Sequence, residues 1–394
     1  MYTAYKGYFK AMRRNCKRLI RIIVTSFIIV LILPISVYAS DVEKDIISSM
    51  DKELSDFNNS LPDSVKDILT DEILKGDFSH LTDGTINQGT FISSFLNSLL
   101  ANLPSVLNSF SLILISVIIS SLFNNMASSL DSQTLKSSYG LCSSLCISLS
   151  IFNLINTMCV NTISYMRTLC TVMNGFAPVM TVLHIMCGKI STAGLSNATM
   201  MMFIALMENI IIEMLIPISS ACLIFCIVKA ISGDESYGGL SKFIRNTFVT
   251  LTVFSMMIFS FVFSFQSTLT QSVDSLSMKT AKFAIGSFIP IVGPSISEAL
   301  RTVTSSVGVI KNSCGVIAFI AVLLLTLPVI ASLYLNKLSL DICASLSGII
   351  GCEREKGIIT DASGICGFTL ALTCCSAVFF IFALTIFIKS SVGV

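Results

Sequence analysis

Five stretches of this chain, residues 104–123, 141–160, 247–265, 314–335 and 364–388, are each mainly apolar over roughly the length that crosses a bilayer. A spanning helix needs about 20 such residues, because in hydrocarbon every backbone polar group must be satisfied inside the helix. A sixth region, 198–231, is too long for one upright span and is interrupted by Glu208, Asn209, Glu213 and Pro217. It reads as one tilted, kinked helix or as two shorter segments. Only 12% of the 394 residues are charged and 53% are hydrophobic, against about a quarter charged in a soluble domain. With a mean hydropathy of +0.84, the chain has more apolar surface than a soluble core would hide. The expectation is an all-α, polytopic helical membrane protein. It would have about six to eight membrane segments, re-entrant or interfacial helices among them, and a small helical exported N-terminal segment.

The net charge of +2 is unevenly distributed, and its distribution carries more information than its sum. Lys6, Lys10, Arg13, Arg14, Lys17, Arg18 and Arg21 precede the first apolar stretch, with no acid among them. That stretch, residues 22–35, is short and ends at Val37-Tyr38-Ala39, small residues placed as a signal peptidase prefers. Residues 1–39 are therefore expected to be a signal peptide cleaved after Ala39. An uncleaved anchor is the alternative, and a mature protein that retained Met1 would establish it. Either way the next segment, 40–103, is delivered outside. It is acidic, and its apolar residues recur at helical spacing: Val42, Ile46, Met50, Leu54 and Phe57 before Pro62, then Val65, Ile68, Leu69 and Ile73 before Gly76, then Phe91, Phe95, Leu99 and Leu103. These faces are too small for an independent core and should pack on the membrane domain, on each other or on a partner.

The remainder, 104–394, is expected to be the membrane domain. Between its spans lie residues 161–197 and 266–313, of intermediate polarity, which suit interfacial or re-entrant helices. Starting outside at Ser40, six spans would put Lys136, Lys229, Lys242, Arg245, Lys337, Arg354 and Lys356 in the cytoplasm. Arg167, Lys189, Lys279, Lys282, Arg301, Lys311 and Lys389 would lie outside. Seven against seven gives no positive-inside preference, so orientation rests on the signal sequence.

Two parts of the domain, about 141–235 and 247–350, share a layout. Pro178, in Phe176-Ala177-Pro178, matches Pro290, in Phe288-Ile289-Pro290, and Pro217 matches Pro328, at offsets of 112 and 111 residues. Each run leads to a Ser-Gly pair. A duplication of the kind found in transporter folds accounts for this; coincidence in a chain rich in Ser, Ile and Leu is the competing account.

Glu208 and Glu213 stand out because a carboxylate within hydrocarbon is costly and ordinarily faces protein or water. With Asn209 they are candidate conduit residues, or else packing residues at an interface. Five residues apart, the two acids sit about 140° apart around a helix, so one face does not easily present both. Enzyme chemistry finds little support. His80 and His184 are the only histidines, and there is no HExxH pair, phosphate-binding glycine-lysine loop or Gly-x-Ser-x-Gly elbow. The 14 cysteines avoid the acidic segment, and the thirteen after Cys16 read as small apolar residues of the helices. No cofactor, metal site or nucleic-acid partner is implied; any energy source must belong to another protein.

The words of the sequence resemble the stage III sporulation protein AE family. The closest likeness is FIPIVGPSISEAL, residues 288–300, continuing through Val309-Ile310-Lys311-Asn312. The family carries a similar Phe-x-Pro-x-Val-Gly, then Ser-x-Ala-Leu, then a Lys-Asn-x-x-Gly region. Leu61-Pro62-Asp63-Ser64-Val65-Lys66 resembles the family's exported segment. Where the family usually has Gly-Gly, this chain has Gly293-Pro294, a departure in the backbone of that turn. The resemblance implies a protein of the mother-cell membrane around the forespore. Its partners would be other membrane proteins of its stage III sporulation A operon, including an ATPase, and stage II sporulation protein Q across the intermembrane space. The assembly would be a channel or secretion-like complex sustaining forespore development and late forespore gene expression. No catalytic residue is carried over. Pro178, Pro217, Phe288, Pro290, Gly293 and Pro328 mark helix kinks or re-entrant turns. A stand-alone secondary transporter of a small solute and a membrane scaffold for ring-forming partners remain alternatives.

Overall fold

The computed structural model describes residues 52–62, 66, 88–128, 133–234, 236–288 and 293–389. The expected signal peptide, the amphipathic run 65–74 apart from Lys66, and Pro290 lie outside these residues. Among the described residues there is no strand. After a helical segment at 52–60, which ends just before Pro62 as its missing N–H dictates, the chain forms α1 (Gln88–Ser128), α2 (Gln133–Met186) and α3 (Ile190–Met207). A π-helical turn at Glu208–Ile212 follows, then α4 (Leu215–Ser232), α5 (Ser236–Phe288), α6 (Gly293–Ile349) and α7 (Glu353–Lys389).

Six runs within these helices are long and apolar enough to cross a membrane: Leu103–Phe123, Gly140–Met186, Ile190–Ser232, Ser236–Thr280, Cys314–Ile349 and Glu353–Lys389. They correspond to the six apolar regions of the sequence, and the chain is a multi-pass membrane protein. The segments of intermediate polarity are helical too. Residues 161–186 continue α2, and 190–197 open α3 after a turn. Residues 266–288 complete α5, and 293–313 begin α6, which Gly293 opens. Residues 88–103, expected as an exported helix, are continuous with the first span through Pro104.

Turns between antiparallel helices use glycine where the backbone enters the left-handed region, at Gly188 (φ 74°), Gly233 (φ 72°) and Gly351 (φ 87°). At the first, Gly188 N–H donates to Ile185 O at 2.8 Å and Lys189 N–H to His184 O at 2.9 Å, closing the end of α2. Pro217 explains the break between α3 and α4. Its ring would meet the carbonyl of Glu213, so the chain leaves helix at residues 213–214 and restarts with Pro217 in the first turn of α4, where no donor is needed. Pro178 and Pro328, by contrast, lie inside α2 and α6 without ending them.

Two buried clusters stack along the bundle. One joins Ile113 and Val117 of α1, Ile147 to Ile163 of α2, Leu215 to Ala230 of α4, Leu333 to Ala344 of α6 and Ile358 to Leu372 of α7. The other joins Tyr165 to Leu183 of α2, Met200 to Met207 of α3, Met256 to Phe263 of α5, Val307 to Val322 of α6 and Phe380 to Phe387 of α7, together with Phe57 and Leu61. Lipid tails are as apolar as Leu, so these contacts stabilise the bundle by packing more than by exclusion of water. Aromatic pairs are prominent: Phe203 lies 5.0 Å from both Phe259 and Phe380, centroid to centroid. The thirteen cysteines from Cys142 to Cys375 are free, nine of them buried.

Candidate functional site

Where the two clusters meet, α1, α2 and α6 wall a groove of about 610 Å³ whose lining is largely hydroxyl and amide. The sequence places them there by register. Ser150, Asn153, Thr157, Asn161, Ser164 and Thr168 recur every three or four residues and so form one stripe along α2. Ser105, Asn108 and Ser109 face them from α1, and Ser332 and Asn336 from α6. No charged side chain lines the groove. From Ser150 to Thr168 the stripe runs about 27 Å at 1.5 Å per residue, close to the roughly 30 Å of a bilayer's hydrocarbon.

Asn153, Thr157, Asn161 and Ser164 are exposed. In contact with lipid tails, each unpaired amide would cost about 4 kcal/mol or more, so the groove is built to meet water or another polar surface. Several hydroxyls use their proton on the preceding turn: Ser109 donates to Ser105 O (3.1 Å), Thr168 to Ser164 O (3.0 Å) and Ser150 to Cys146 O (3.3 Å). Their lone pairs stay available as acceptors. Thr162 Oγ1, in the lining, is buried with no hydrogen-bond partner. A buried orphan hydroxyl on a polar hollow suits an ordered water or solute. At the wall, Tyr165 of the lining and Thr326 pair through OH and Oγ1 at 2.8 Å and tie α2 to α6.

Both ends of the groove abut buried contacts. Two turns beyond Ser150, Ser143 Oγ and Ser120 Oγ donate to Glu355 Oε1 at 2.9 and 2.7 Å, the two hydroxyls lying against each other. Glu355 is buried in the first turn of α7, at the positive pole of the helix dipole. Two turns beyond Thr168, Gly175 and Phe176 hold the 52–60 segment, with the rings of Phe57 and Phe176 at 5.8 Å.

A second polar cluster lies where α4, α5 and α7 meet: Lys229 Nζ is 3.4 Å from Asp361 Oδ2, and buried Arg245 donates to Ser241 Oγ at 3.0 Å. It is an interhelical tie. Among the described residues, no group of three His, Cys, Asp or Glu side chains is placed to hold a metal ion.

The residues singled out by sequence lie elsewhere. Glu208 and Asn209 belong to the π-helical turn and Glu213 follows it; all three are exposed, and none lines the groove. Asn209 Nδ2 donates to Ala205 O at 2.6 Å. Pro178, Pro217 and Pro328 also lie outside the lining. His184 is fully buried against Phe387, its Nδ1 2.5 Å from Met180 O.

Residues 64–391 match the family described as stage III sporulation protein AE. The chain belongs to the stage III sporulation protein AE family. One relative is the stage III sporulation protein AE of Bacillus subtilis (strain 168), 27% identical over 148 residues. That alignment covers 36% of this chain and 36% of the relative, so the chain spans about a third of that curated protein's length. No solved structure matches. This sporulation family is not a known enzyme family, and the groove carries neither a nucleophile paired with a base nor a metal cluster among its lining residues.

Proposed function

We propose that this protein is a non-enzymatic membrane subunit of a channel or secretion-like complex between mother cell and forespore, and that the groove of α1, α2 and α6 is its contribution to a water-filled path. The observation that carries this is an uncharged stripe of hydroxyls and amides, about as long as the hydrocarbon is thick, on membrane-crossing helices. Such a stripe is stable in a bilayer only when water or polar protein covers it. Family membership supports the sporulation setting. In this reading the protein sits in the mother-cell membrane and works with other stage III sporulation A-operon proteins, including an ATPase, and with stage II sporulation protein Q. Its role is in forespore development and late forespore gene expression.

The test is conversion of the stripe to apolar residues of similar size, Asn153→Leu, Thr157→Val and Asn161→Leu together. Membrane levels should be normal while heat-resistant spores fall at least a hundredfold; normal sporulation would sink the reading. Purified protein in liposomes separates it from a stand-alone transporter, which would move solute with no partner present.

A further inference from the structure

The 52–61 segment sits beyond one end of the groove, and the register of α2 shows where. Seven residues advance a helix by about 10 Å and return the side chain to within about 20° of its starting direction. Gly175, seven residues after Thr168, therefore faces the way the groove faces, one step further along. A Cβ built at Gly175 would lie 2.5 Å from Ser60 Oγ, 3.1 Å from Ser60 Cβ and 3.5 Å from Phe57 Cα. The segment thus lies directly over the continuation of the polar stripe, so close that a side chain at 175 would require Ser60 to shift. Phe57 and Leu61 anchor it, at 1% and 2% exposure, and Ser60 Oγ donates to Phe57 O at 2.6 Å. The opposite face, with Lys52, Ser55, Asp56 and Asn59, is exposed. Phe57 and Leu61 are the only fully buried side chains among the described residues 52–62, an attachment small enough to release without disturbing the bundle.

We propose that residues 52–61 are a displaceable gate that closes one end of the polar groove, with the Glu355–Ser120–Ser143 contact closing the other. The gate rests on reading the groove as a water path. It assigns the segment before α1 a conformational role: seated on Gly175 and Phe176 it blocks the end of the groove beyond Thr168, and lifted away it opens that end.

The test uses the full-length protein in lipid nanodiscs, where both faces are accessible, and a charged maleimide whose sites are resolved by mass spectrometry. Thr168→Cys, half-buried at the end nearest the segment, reports on the gate, and Asn161→Cys, exposed with the segment seated, reports on the water path. Asn161→Cys should label fast in every background; Thr168→Cys should label slowly in the native background and about tenfold faster with Phe57→Ala or Gly175→Leu, while Phe57→Leu keeps the slow rate. Thr168→Cys labelling as fast as Asn161→Cys in the native background would overturn the gate and leave the water path standing. Protection of both reporters in every background would overturn the water path and the gate with it. A rise matched at buried Cys366 would mean general loosening and also overturns the gate.

Discussion

Asp274 of α5 caps a helix other than its own: its Oδ2 accepts from the backbone N–H of Thr192 at 2.8 Å, and its Oδ1 from that of Ser191 at 3.1 Å. The first N–H groups of α3 have no partner within their helix, and a carboxylate at that end also meets the positive pole of the helix dipole. Asp274 is buried, and Lys189 stands nearby; burial pushes the Lys189 ammonium below its ordinary value, while Cys187 and Asp274 push it back up. Hydrogen bonds to a charged group contribute about 1.5–3 kcal/mol. Asp274→Ala should therefore lower the stability of the detergent-solubilised protein by about 2 kcal/mol or more, with Asp274→Asn intermediate. Equal melting temperatures for all three proteins would show that α3 starts without this cap.

Two glycines should respond with opposite signs. Gly188 has φ 74°, so Gly188→Ala carries backbone strain, while the Met278 Cε that its Cβ would meet is the end of a flexible side chain that can move aside. A loss of about 1 kcal/mol or more follows. Gly239 lies in the first turns of α5 with nothing within 4 Å of an added Cβ, and Gly239→Ala should raise stability by up to about 1 kcal/mol through helix propensity. Thermal melts of the two variants in one detergent decide this; a shift in the same direction would contradict the turn geometry.

The Glu355 contact should show the asymmetry of buried charge. Ser120→Ala with Ser143→Ala leaves the buried Glu355 carboxyl without these donors, which costs about 1–3 kcal/mol. Glu355→Gln removes the charge and keeps a polar group for the serines, so it should be the milder change. Melting temperatures should rank native, then Glu355→Gln, then the double serine variant. The reverse order would mean that Glu355 draws little from the two hydroxyls.

The membrane architecture was legible because apolar runs of spanning length admit little other than helix, and Pro62 announced the end of the 52–60 segment for a similarly local reason. The full length of α2, α5 and α6 was not. Residues 161–186 and 266–288 are more polar than the runs that precede them, yet the helix continues because packing on neighbouring helices, not hydropathy, decides its extent. The groove escaped notice because hydropathy averages over the turn. Ser150, Asn153, Thr157, Asn161, Ser164 and Thr168 are diluted by Ile, Leu and Met between them, and only their three-to-four spacing marks them. Charge drew attention to Glu208 and Glu213 instead, whereas the lining of the groove is uncharged. The seat of Phe57 against Phe176 depends on contact across more than a hundred residues of chain, which no local pattern encodes.

Glu208 offers the sharpest test of what meets the other side of the bundle. It lies midway along the run Ile190–Ser232, exposed on the π-helical turn. A charged carboxylate facing lipid at that depth would cost about 2.5–3.5 kcal/mol. Glu208→Leu should therefore leave the isolated protein as stable as the native one or more so. If Glu208 is met by a polar group of another subunit, the same substitution should cut spore formation at least tenfold with membrane levels unchanged, and Glu208→Gln, which keeps hydrogen bonding, should cut it less. Normal spore counts for Glu208→Leu would remove any role for this carboxylate in assembly or conduction. That result would leave the polar stripe of α2 as the sole candidate for contact with a water path.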